Sequence, residues 1–116
     1  MDNATLTIDV STPEQVMART LAAFAGQPDR SARLTFQSYE SLFRTLTPGR
    51  MALLEAMAGA GPLGVRELAR RMKRDVKAVH TDVQALLACG ALDKTPEGKL
   101  SFPYRAMHVD FMLEAA

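Results

Sequence analysis

Apolar and polar positions alternate from the start of the chain: Leu6, Ile8 and Val10 are separated by Thr7 and Asp9, with Thr5 before them. A period of two predicts a half-buried strand over residues 6–10. The pattern then changes to helical spacing. Ser11 and Thr12 offer a capping hydroxyl, Pro13 suits a first helical position, and Gln15 completes a capping box with Thr12. Val16, Thr20, Leu21 and Phe24 follow at helical intervals, and Gly26 with Pro28 ends the helix. Leu34 and Phe36 alternate with Arg33 and Thr35, predicting a second strand. Ser38 caps a short helix through Leu46, with Leu42 and Phe43 directed inward. This strand–helix–strand opening has the length of a βαβ unit, and a split arrangement fits the same pattern equally well.

From Thr47 the period is helical for more than forty residues. Thr47-Pro48 is a second capped start, and Leu53, Leu54, Met57 and Ala58 form one apolar face before Gly59, Gly61 and Pro62. Gly64 precedes another helix, in which Val65, Leu68, Ala69 and Met72 fall at i, i+3, i+4 and i+7 and Glu67 suits the first turn. Lys73-Arg74 is the turn and Asp75 the cap of a third helix. Val76, Val79, Val83, Leu86 and Leu87 make its buried stripe, and Gly90 ends it. Two short β segments over 91–94 and 99–102 flank Thr95-Pro96-Glu97-Gly98, a tight-turn sequence. His108, Asp110 and Met112 alternate with Val109, Phe111 and Leu113, predicting a last strand. Cys89, just before Gly90, reads as a small buried hydrophobe.

Three helices and a hairpin, in that order, predict a winged helix-turn-helix. Ala69 supplies the small residue where the next helix crosses closely, flanked by Leu68 and Met72, with Val79 ten residues on. The turn usually holds glycine, and here it holds Lys73. The fold class expected is therefore α+β. Residues 47–105 form the winged unit, 1–46 an N-terminal strand–helix–strand serving as dimer or partner surface, and 106–116 a C-terminal strand and tail.

Several segments resemble winged-helix regulators of the MarR, ArsR and DeoR kind: Leu46-Thr47-Pro48-Gly49-Arg50, Val65-Arg66-Glu67-Leu68-Ala69-Arg70-Arg71, Val79-His80-Thr81-Asp82-Val83 and Cys89-Gly90-Ala91-Leu92. With Pro103-Tyr104 and His108-Val109-Asp110-Phe111, the chain is more closely similar to a group of small prokaryotic transcriptional regulators. The resemblance spans residues 46–111. It implies a repressor that autoregulates its operon, and members of this group look like antitoxin partners of small toxins.

Charge sharpens this picture. The formal net charge is only +1 over 116 residues, yet residues 66–77 hold six bases (Arg66, Arg70, Arg71, Lys73, Arg74, Lys77) against Glu67 and Asp75. A local basic patch on a nearly neutral chain points to a polyanion at that patch. At about 100° per residue, the third helix turns Lys77, Thr81 and Gln84 away from its apolar stripe, with Ala78 and His80 on the flanks. Those five are the expected base-contacting residues. Arg70, Arg71, Lys73 and Arg74, with Lys94 and Lys99 beside the hairpin turn, are the expected phosphate contacts.

Other chemistry finds little support. One Cys cannot form an internal disulfide, and His80 and His108 each lack a spaced second ligand, so no metal and no cofactor is expected. No nucleophile–base–acid arrangement or phosphate loop stands out, so no enzymatic activity is expected. No apolar run approaches a membrane span, and the polar N-terminus is unlike a secretory signal, which leaves the cytoplasm as the expected location. The expected partners are double-stranded DNA, a second copy closing the open strand edges of the termini, and a small toxin protein. The competing reading is a protein-interaction module that neutralises a toxin on a winged-helix scaffold without touching DNA.

Overall fold

The computed structural model describes residues 5–26, 32–113 and 115. Among these described residues it is an α+β structure of five helices and two small sheets. Strand β1 (Thr5–Val10), helix α1 (Pro13–Phe24) and strand β2 (Ala32–Phe36) form a parallel βαβ unit. Strand β5 (Ala106–Asp110) pairs parallel with β1 on the other side, giving the order β2-β1-β5. Of the two helix-stop residues, Gly26 adopts φ +90, and Pro28 lies outside the described residues.

Alternation places Leu6 and Ile8 of β1 and Phe36 of β2 in the core. The opposite sheet face carries Asp9, which is buried and heavily bonded. Arg33 pairs with its carboxylate, Thr35 Oγ1 donates to it at 2.7 Å, and Arg19 Nη1 approaches to 3.8 Å. Arg19 also donates to Ser11 Oγ and Thr35 Oγ1, each at 3.2 Å. A buried carboxylate needs such partners. This explains a feature the periodicity of α1 did not disclose. The sheet face beneath α1 is polar, so the helix directs Arg19 toward it. Val16, Met17, Leu21 and Phe24 are left in solvent, Phe24 at 83% exposure.

Helix α2 (Tyr39–Thr45) begins at Ser38, whose hydroxyl accepts from Ser41 N. Leu42 is buried as expected, but Phe43 is 58% exposed, contrary to its expected inward direction. With seven residues, α2 presents one inward row, and Leu42 with Leu46 fills it. Phe43 instead meets Phe111 edge-on at 5.7 Å, and Tyr39 meets the same ring at 6.1 Å.

Helices α3 (Pro48–Met57), α4 (Val65–Met72) and α5 (Val76–Cys89) follow the expected spans. Thr47 caps α3, and Asp75 caps α5 by accepting from the amides of Lys77 and Ala78. Leu53, Leu54 and Met57 pack with Leu68, Ala69, Val79, Val83 and Leu86, each almost without solvent contact. Ala69, 1% exposed, is the small residue in this seat. Val76 is a correction: it sits in the first turn of α5 and is exposed, because the stripe reaches the core only from Val79 onward. Leu87 and Cys89 are half-buried at the margin.

The hairpin is shorter than the alternation predicts, β3 (Asp93–Lys94) against β4 (Leu100–Ser101), although Ala91, Leu92 and Phe102 beside it are buried. Leu100 gives its other side to Leu63, exchanging amide–carbonyl bonds of 3.0 and 2.7 Å. The last strand also ends early. Its ladder with β1 stops at Asp110, and Phe111 turns to the α2 aromatics in place of continuing. A single hydrophobic cluster contains both the sheet residues and the three-helix residues. Among the described residues no helix is long and apolar enough to cross a membrane.

Candidate nucleic-acid interface

The candidate interface is built on α5. With Val79, Val83 and Leu86 held inside, helical geometry turns Lys77, His80, Thr81 and Gln84 outward, and all four are exposed. Ala78 is half-buried on the flank. Thr81 Oγ1 donates to the Lys77 carbonyl at 3.1 Å, and Gln84 Nε2 lies 3.4 Å from His80 Nε2, so one end of the Gln84 amide engages the ring. His80 and Gln84 line a cleft with Val65, Val83, Lys94, Gly98 and Leu100. The hairpin thus brings Lys94 to the cleft beside the exposed face of α5. Lys99 lies on the exposed hairpin arm, outside the lining of that cleft.

The basic residues between α4 and α5 separate into two groups. Arg70 and Arg71 are exposed in the last turn of α4, and both pair with Glu67, Arg71 Nε at 3.0 Å from its carboxylate. Exposed pairs of this kind contribute about 0–1 kcal/mol, so both guanidinium groups can exchange Glu67 for another anion. Lys73 is exposed at the turn, in the left-handed region at φ 56 and ψ 45. Arg74 is committed elsewhere. Its Nη1 donates to Asp82 Oδ2 at 3.0 Å, while Arg50 Nε donates to Asp82 Oδ1 at 3.0 Å and Arg50 Nη1 to the Thr45 carbonyl at 3.1 Å. Asp82 therefore fastens the start of α3, the turn and α5 together. Sequence reasoning missed this clamp. Its one local signal is a carboxylate next to buried Val83 and three residues from buried Val79, on the margin of the apolar stripe, where a charge needs a partner.

The Lys73 conformation carries a prediction with two opposed outcomes. A non-glycine residue in this region is strained by roughly 1 kcal/mol. Lys73→Gly is expected to raise thermal stability by about 0.5 kcal/mol once the added chain entropy is subtracted. If this face meets duplex DNA, the variant is also expected to bind it more weakly, because one exposed cation is lost. Melting and titration on the same preparation check both signs.

Among the described residues no group of three His, Cys, Asp or Glu side chains could hold a metal ion. The arrangement is that of a small α+β protein with a polar helix face between a basic turn and a hairpin. Residues 45–109, more than half of the chain, match the model of the HVO_A0114 family, and the chain belongs to that family. No curated protein and no solved structure matches the chain.

Proposed function

We propose that this chain is a winged helix-turn-helix protein that binds double-stranded DNA sequence-specifically and represses transcription of its own operon. The observation that carries the reading is the outward face of α5, where Lys77, His80, Thr81 and Gln84 are exposed together and Lys94 joins them across the cleft. The bridge between Leu63 and Leu100 supports the fold assignment, since it ties the segment before α4 to the hairpin. A helix of this kind fits the major groove, where Lys reads guanine acceptors and the free end of Gln84 reads a base edge. Arg70, Arg71, Lys73, Lys94 and Lys99 supply phosphate contacts, and Arg74 serves through the Asp82 clamp. Two copies on a pseudo-palindromic site give the area that selective binding needs.

The test is a titration of the duplex upstream of the protein's own reading frame against a scrambled duplex. The upstream duplex is expected to bind at least about a thousandfold more tightly. Lys77→Ala and Gln84→Ala are each expected to reduce that preference by about 1–3 kcal/mol while leaving scrambled-duplex affinity nearly unchanged. Equal affinity for both duplexes in the unaltered protein refutes the reading.

One observation favours a second reading, an antitoxin that neutralises a small toxin protein. The apolar stripe of α1, Val16, Met17, Leu21 and Phe24, faces solvent and suits a protein partner. A toxin-like reading frame beside this one, whose purified product binds with little dependence on salt, would support it.

A further inference from the structure

We propose, building on the DNA-binding reading, that His80 is a positioning residue: its ring fixes which way the Gln84 amide faces, and so which base Gln84 selects. His80 and Gln84 stand four residues apart on α5, neighbours on one helix face. Both are exposed, both line the cleft that reaches the hairpin, and their Nε2 atoms lie 3.4 Å apart. Among the described residues, the other side chains lining that cleft are Lys94, which donates only, and the apolar Val65, Val83 and Leu100. The ring is therefore the acceptor that the Gln84 –NH2 meets there.

A carboxamide donates at one end and accepts at the other, so its direction decides what it recognises. A neutral ring with a bare Nε2 accepts one hydrogen from the Gln84 –NH2. This is the arrangement in which Gln84 Nε2 stands beside the ring. It leaves Oε1 and the second N–H side by side and outward. That pair matches adenine, whose N6 donates and whose N7 accepts. A partner that donates from the His80 position takes Oε1 instead. The –NH2 then faces outward, and its hydrogens suit the N7 and O6 acceptors of guanine. His80 thus acts on base choice through Gln84, without itself touching a base.

The experiment is an anisotropy titration of the full chain at pH 8, where an ordinary imidazole is neutral. The probes are the upstream duplex and duplexes in which single base pairs of that site are exchanged. The position whose preference is lost in Gln84→Ala is the one Gln84 reads. Adenine is expected there, favoured over guanine at least about tenfold. His80→Glu, whose carboxylate only accepts, is expected to keep that preference. His80→Lys, whose ammonium only donates, is expected to lower it at least about tenfold. The added charges change affinity for every duplex alike, so the adenine-to-guanine ratio isolates the amide. In the Gln84→Ala background neither His80 variant is expected to move the ratio, whereas a ring that contacted the base directly would still do so. The exposed position lets both variants keep the circular dichroism spectrum. A ratio equal in the two His80 variants, or one that still responds to them without Gln84, overturns the proposal and leaves the DNA-binding reading standing. Equal affinity of the unaltered protein for upstream and scrambled duplexes overturns both.

Discussion

Raising the salt concentration from about 50 to 200 mM is expected to weaken duplex binding on the order of 500-fold per bound protomer. The figure follows from counting cations that are free to reach phosphate. Arg70, Arg71, Lys73, Lys94 and Lys99 are exposed, whereas Arg74 is turned inward to Asp82. Five contacts give a slope of log K against log salt of about −4.5, since each neutralised phosphate contributes about −0.9. In the double variant Arg70→Ala, Arg71→Ala the slope is expected to flatten to about −2.7. The pairing of both residues with Glu67 does not alter this, because a shared exposed carboxylate yields readily to a phosphate. A slope unchanged in the double variant would place the phosphate contacts elsewhere. Anisotropy titrations at four or five salt concentrations are sufficient.

Asp82→Ala is expected to cost about 2 kcal/mol of stability, or roughly 10 °C in melting temperature for a chain of this size. Two charge-assisted bonds are lost at once, those to Arg50 and Arg74. Both guanidinium groups are then left half-buried without their anion. The figure stands below that for a fully buried pair because the arginine side chains keep 20% and 32% of their exposure. The consequence for DNA separates position from charge. Removing a carboxylate makes the face more positive, so affinity for scrambled duplex rises. Loosening the seat of α5 misaligns Lys77 and Gln84, so preference for the upstream duplex falls. A variant that loses no stability would show that the clamp is ornamental, and parallel changes on both duplexes would show that Asp82 acts through charge alone. Denaturant unfolding and paired titrations measure the two effects.

Much of the fold was legible because it is encoded locally. Asp75, Thr47-Pro48 and Gly90 mark helix ends through bonds to amides and carbonyls a few residues away, and the structure uses each of them so. The stripe of α5 and the outward set Lys77, His80, Thr81 and Gln84 follow from one angular repeat. What could not be read depends on groups far apart in sequence. Arg50 and Asp82 are separated by thirty-two positions, as their bond records, and nothing local to either names the other. The direction of α1 failed to appear for a related reason. A period shows that a helix has two faces, and the polar floor laid by Asp9, Arg33 and Thr35 decides which one turns in. Phe43 was misdirected because α2 is too short for its spacing to distinguish inside from edge. The hairpin arms were overestimated because Ala91, Leu92 and Phe102 are apolar through burial against the helices and not through pairing.

The central position of β1 bears on how the protein is made. Its neighbours are β2 and β5, so one flank is covered once residues 32–36 are made and the other only once residues 106–110 are made. A nascent chain emerging from the ribosome must carry β1 with that flank bare while α2, α3, α4 and α5 are translated. Contacts so remote in sequence form slowly, and during this delay the exposed backbone is open to misassociation with other unfinished chains.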